Sequence, residues 1–221
     1  MTKPPPAISV ITGLPRPRWR GLIHTYAFWF SIPLAGVLVV GAGHPLGRVA
    51  AAVYAASLLA VYGVSAAYHR LAHSPTTQRL MRRLDHSMIF VLIAGTYTPV
   101  CLVALDAGWR LPLLGAVWTL ALFGIGAKAR GDERVVRASN GLYLAMGWVG
   151  LIAAPSLFRE LTPAAFGLLV AGGLLYTVGA ALFFLRRPDP HPLVFGYHEV
   201  WHLFTVMAGV SHFAMVALVV A

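Results

Sequence analysis

Seven apolar runs divide this chain, at about 21–42, 47–68, 86–105, 109–127, 140–158, 163–185 and 199–220. Each approaches the ~20 residues that an α-helix needs to cross a hydrocarbon layer of ~30 Å. In lipid, every backbone polar group must be satisfied within its own segment or in a closed barrel, so long apolar runs of this kind fold as helices. The predicted fold is therefore all-α and integral to the membrane, a seven-transmembrane helix bundle over residues 21–221. Only 11% of residues are charged and 58% are hydrophobic, where a soluble domain carries about a quarter charged. The loops are short and leave no room for a separate soluble domain.

Residues 1–20 are rich in Pro and Arg, have no apolar core, and read as a disordered cytoplasmic tail rather than a signal peptide. The net charge of +10 would suggest nucleic acid in a soluble chain. Here the basic residues fall between the apolar runs and alternate in density. Lys3, Arg16, Arg18, Arg20, Arg70, Arg79, Arg82, Arg83, Lys128, Arg130, Arg134, Arg137, Arg186 and Arg187 share one side, against Arg48, Arg110 and Arg159 on the other. Positive charge stays inside, so the N-terminus is expected in the cytoplasm and the C-terminus outside. The expected partner is membrane lipid, with no nucleic acid, for a multi-pass protein of the cell membrane.

Within that frame the polar residues take on depth. His198 and His202 open the last run four residues apart, which places both imidazoles on one helical face. His69 ends the second run at the same side, with Ser65 one turn deeper on the same face. Asp85 begins the third run, again at that side. Three histidines with an open fourth position make a catalytic zinc site. Asp85 is expected at or just beyond the metal, holding water and taking its proton. Ser65 is expected to support it or to orient a substrate carbonyl. His24, near the same end of the first run, is read either as a support behind the metal ligands or as interfacial, with the interfacial reading preferred. His212 lies about 15 Å along the axis from His202 and is read as too deep for the same metal. Cys101, the single cysteine, is read as packing, with no disulfide available.

Other local readings follow from breaker and cap residues. Ser74-Pro75 resembles a cap followed by Pro at the first helical position, and 75–84 is predicted as a short amphipathic helix on the cytoplasmic surface. Gly95-Thr96-Tyr97-Thr98-Pro99 is predicted to bend the third helix around a cavity. His198-Glu199-Val200-Trp201-His202 is a literal His-Glu-x-x-His, the zincin pattern in which Glu is the general base. A metzincin extension would need His at 208, which is Ala208, and no acid follows Glu199. Glu199 is therefore read as a helix N-terminal complement rather than as a protease base.

Tyr68-His69-Arg70, Arg82-Arg83-Leu84-Asp85-His86-Ser87, Ala94-Gly95-Thr96-Tyr97-Thr98-Pro99, the run from His198 to Phe204, and Ser211-His212-Phe213 together resemble the hemolysin III family. That family is the bacterial branch of the progesterone and adipoQ receptors, which include the adiponectin receptors, and the resemblance covers about 21–220. It implies a seven-helix bundle with Zn2+ held near the cytoplasmic face by His69, His198 and His202, Asp85 contacting the zinc through water, and Ser65 beside them. It also implies kinship with alkaline ceramidases and hydrolysis of a lipid amide. Many relatives carry an acid shortly before the first helix, where this chain has Arg18-Trp19-Arg20-Gly21.

The function expected is a zinc-dependent hydrolase acting on a membrane lipid amide or ester, ceramide-like, from the cytoplasmic leaflet. Two other classes stay open: a receptor or membrane-state sensor with structural zinc, and a hemolysin-like cytolytic pore former.

Overall fold

The computed structural model describes residues 16–221. Seven helical stretches in it are long and apolar enough to cross a membrane: α1 (Leu22–Gly41), α2 (Pro45–Leu71), α3 (Pro75–Pro99), α4 (Ala107–Arg130), a fifth span made of α5 (Glu133–Trp148) and α6 (Ala154–Glu160), α7 (Pro163–Leu185) and α8 (Tyr197–Val220).

Their starts are written in the sequence. Ser74 Oγ accepts from Thr77 N–H at 3.1 Å, and Asp106 Oδ1 accepts from the N–H groups of Gly108 and Trp109. Asp132 caps α5 and Thr162 caps α7 in the same way. Each such cap contributes about 1 kcal/mol by satisfying an otherwise orphaned donor. Pro45, Pro75 and Pro163 stand at first-turn positions, where the missing N–H has no cost.

Neighbours in sequence pack as neighbours in space, α1 on α2, α2 on α3, α3 on α4 and α7 on α8, and α8 also touches α1 and α2. The core lies between α2, α3 and α8, around Tyr54, Phe90, Cys101 and Met215. Large apolar side chains such as Phe30, Val40, Phe123 and Phe184 are exposed outward, as a lipid-facing surface requires.

Three expectations are corrected. Residues 75–84 do not form a separate surface helix but are the first turns of α3. No breaker interrupts them, and Gln78, buried, donates its Nε2 to Ala72 O at 3.2 Å, tying the start of α3 to the end of α2. The stretch around Pro99 does not simply bend α3. Pro99 removes one N–H, and the chain continues through a π turn over Val100–Ala104, with the hydroxyls of Thr96 and Thr98 bonded back to Leu92 O and Ala94 O. The tail is not free up to residue 20, because Arg18 and Trp19 donate their backbone N–H groups to Leu193 O and Val194 O. Its first fifteen residues lie outside those described.

The fifth span, expected over about 140–158, runs over Arg134–Glu160 and is broken by a 3-10 segment at Val149–Ala153. The Tyr97 hydroxyl fills that break. It donates to Gly147 O at 3.0 Å and accepts from Gly150 N–H at 2.9 Å.

Candidate metal centre

His69 lies in the last turn of α2 and His198 and His202 in the first two turns of α8, so the packing of these two helices brings the three imidazoles together. His69 Nε2 and His198 Nε2 are 3.3 Å apart. One ring nitrogen from each of the three residues lies within 4.8 Å of the other two. His69 and His202 are buried and His198 is partly so. A tetrahedral ion with metal–nitrogen bonds of ~2.0–2.1 Å holds its nitrogens about 3.3–3.4 Å apart, which matches the His69–His198 separation. His202 Nδ1 is buried with no hydrogen-bond partner among the described residues. Three neutral nitrogen donors with one orphaned buried nitrogen fit a metal ion, and imidazole sets of this kind suit zinc, copper, iron or nickel.

The centre is braced from both sides. Gly21, which starts α1, has φ of 80°, a left-handed conformation that glycine adopts without steric cost. A Cβ there would lie 2.6 Å from His69 Cβ, so the chain can press against that histidine only with glycine at this position. Of the two sequence readings of His24, the preferred interfacial one is corrected: the residue is buried at 4% exposure, beside the site. Its ring stacks on His202 at 3.8 Å between centroids and 6° between planes. Thr205 Oγ1 lies 2.8 Å from His202 O and 2.8 Å from His24 Nε2, so its hydroxyl ties the His24 ring to the backbone of His202. Position 205 falls three residues after His202, on the same helical face, which is the signal that could have revealed it.

Glu199 is not a base facing the centre. It is fully buried; Oε2 accepts from Gly196 N–H at 2.9 Å, and Oε1 receives Arg20 Nε at 2.5 Å. The His-Glu-x-x-His is thus two site histidines flanking a structural carboxylate, and Arg20-Glu199 is the one ion pair among the described residues.

Asp85 on α3 and Ser65 on α2 stand on neighbouring helices. Both border a cavity of about 330 Å³ that His24, His198 and His202 also line. Away from this polar end the walls are largely apolar, including Leu92, Val100, Leu157, Phe166 and Leu169. His212 lines the same cavity well away from the triad; its Nε2 is 3.2 Å from Leu169 O, and it is not grouped with the three.

Seven apolar helices and a buried three-histidine centre beside an apolar cavity define a multi-pass membrane protein with a site able to hold a metal ion. The family described as Haemolysin-III related matches residues 12–213, and the chain belongs to it. It is 39% identical to "Hemolysin-3" of Bacillus cereus over 188 residues, 84% of this chain and 83% of that protein. The "Hemolysin-3 homolog" of Bacillus subtilis (strain 168) is 35% identical over 195 residues, 87% of this chain and 88% of that protein. More distantly, the chain is 28% identical to the "Adiponectin receptor protein" of Drosophila melanogaster over 168 residues, 68% of this chain and 38% of that protein.

Proposed function

We propose that this protein is a zinc-dependent hydrolase of a lipid amide or ester, with its centre at the cytoplasmic leaflet of the cell membrane. The observation that carries the reading is the three-histidine cluster at the polar end of a cavity whose remaining walls are apolar. A volume of about 330 Å³ is at the lower end for ligand sites and suits one chain of an amphiphile, its polar group toward the histidines. The fourteen basic residues on that side support this choice of leaflet.

His69, His198 and His202 would hold zinc; when bound, the ion supplies Lewis acidity toward a carbonyl oxygen and toward water. The Asp85 carboxylate accepts the proton of the attacking water and returns it to the leaving amine or alcohol. The Ser65 hydroxyl, on the same cavity wall, would donate to that carboxylate and orient it. His24, stacked on His202, holds the plane of that imidazole. The apolar walls exclude bulk water from the reacting end.

The first experiment measures metal in detergent-purified protein, wild type beside His202→Ala. About one zinc per chain, lost in the variant, is expected; a folded wild type without metal would overturn the reading. Fatty acid release from a broad lipid panel then tests the chemistry, with Asp85→Asn expected to keep the metal and lose the release. The names of the Bacillus relatives motivate a second reading, membrane lysis. It predicts dye release from vesicles that is unchanged in His202→Ala.

A further inference from the structure

A second, polar pocket of about 170 Å³ lies at the same end of the bundle, between α3 and the turn from α4 to α5. Arg79, Arg82, Arg83 and His86 line one wall and Lys128 the other. The first four are spaced i, i+3, i+4 and i+7, a single stripe along α3. Like charges at such spacings repel, and no carboxylate lines the pocket among the described residues. The charge asymmetry of the loops accounts for the side of the membrane on which these residues lie, but not for their facing one another.

Lys128 is the more telling group. It is 1% exposed, and a buried cation ordinarily carries an anionic partner. Here its Nζ donates to two neutral oxygens, Asn140 Oδ1 at 2.6 Å and Val136 O at 3.1 Å, and stands 5.0 Å from the centre of the Tyr143 ring. An ammonium has three donors, so one remains. Arg83 is held across the turn, with Nη1 donating to Ala129 O at 3.3 Å. Gly131, with φ of 74°, admits it: a Cβ there would run into the guanidinium. Arg83 and Lys128 are thus fixed by neutral contacts, and Arg79 and Arg82 form no ion pair among the described residues.

We propose that this pocket is an anion site that takes a phosphate group. Guanidinium groups match phosphate oxygens in bidentate geometry, and a lysine adds a point charge. At the end of the apolar spans the phosphate comes from a lipid headgroup or from a soluble phosphate. His86 also lines the large cavity, so the bound anion stands one residue from Asp85. The site does not depend on metal or on hydrolysis.

The test is thermal unfolding of the full chain, followed by tryptophan fluorescence. One arm titrates inorganic phosphate into detergent micelles, with ionic strength held constant by chloride. The other compares nanodiscs of phosphatidylcholine with and without phosphatidic acid. Lys128→Gln risks the fold, so Arg79→Gln/Arg82→Gln, at exposed positions, is the decisive variant. A saturable rise in the midpoint is expected in one arm or both, with the half-maximal concentration raised about tenfold or more in the double variant. A response to phosphatidic acid alone assigns the site to a lipid headgroup, and a response to inorganic phosphate shows that the phosphate group suffices. No saturable rise in either arm, or an unchanged one in the double variant, overturns the proposal.

Discussion

The Arg20–Glu199 pair makes a prediction that separates a structural carboxylate from a catalytic one. Glu199 is 0% exposed and Arg20 is 20% exposed, so the two partners are not equivalent when one is removed. In Arg20→Leu the carboxylate keeps only the Gly196 N–H and remains buried, and an uncompensated buried charge costs about 3–5 kcal/mol. In Glu199→Gln the amide oxygen still accepts from Gly196, while the guanidinium turns toward solvent on its exposed side. The loss there is one charge-assisted hydrogen bond, about 1.5–3 kcal/mol. Arg20→Leu is therefore expected to be the more damaging, and adding Glu199→Gln to it is expected to recover stability. Equilibrium unfolding in mixed micelles measures all three variants against wild type, with zinc content read in parallel. Glu199→Gln costing more than Arg20→Leu would refute the reasoning. So would a catalytic loss in Glu199→Gln with stability and zinc both unchanged, because that outcome belongs to a general base.

Three further outcomes are expected. His24→Phe keeps a ring on His202 and loses only the Thr205 hydrogen bond, about 1 kcal/mol, whereas His24→Ala removes both; zinc retention during dialysis should fall in the order wild type, Phe, Ala. Gly21→Ala forces a side chain into the left-handed region at about 1–2 kcal/mol and against His69, so both the unfolding midpoint and zinc content should drop. Asp106, outside the spans, is held below its ordinary carboxylate pKa of 3.8 by Ser156 Oγ–H and by the Trp109 and Gly108 N–H groups. Its folded pKa is depressed, so its contribution is complete above the unfolded pKa and is lost as pH falls through the folded one. The stability difference between wild type and Asp106→Asn should be flat at neutral pH and shrink below about pH 4, and a difference that persists at lower pH would contradict this.

Most of the architecture was legible because bilayer-length apolar runs leave the backbone one choice. Of the helix starts, Ser74-Pro75 was legible as a cap, whereas Asp106 and Asp132 cap helices that begin at Ala107 and Glu133, ahead of the runs expected from 109 and 140, because hydropathy does not register a polar first turn. The triad was legible because the four-residue spacing of His198 and His202 and the position of His69 at a span end both fix depth. Contacts between helices were not legible. His24 stacks on His202 only because α1 packs beside α8, and a lone histidine near a span end gives no hint of that. Glu199 sits inside a motif that suggests catalysis, and its role depends on Arg20, 179 positions away. Lys128 reads in sequence as one more basic loop residue; its burial emerges only when α3, α4 and α5 meet. Helix α3 was divided at residue 84 because charge patterning reports exposure and says nothing about whether hydrogen bonding continues through it.

The Tyr97 hydroxyl has a consequence for the order of assembly. By standing between Gly147 O and Gly150 N–H, it replaces a bond that the fifth span does not make for itself. In hydrocarbon no solvent can stand in for it. The fifth span therefore completes its backbone bonding only against α3. Synthesis from the N-terminus delivers α3 first, so the donor and acceptor that the later span lacks are already in the membrane when that span arrives.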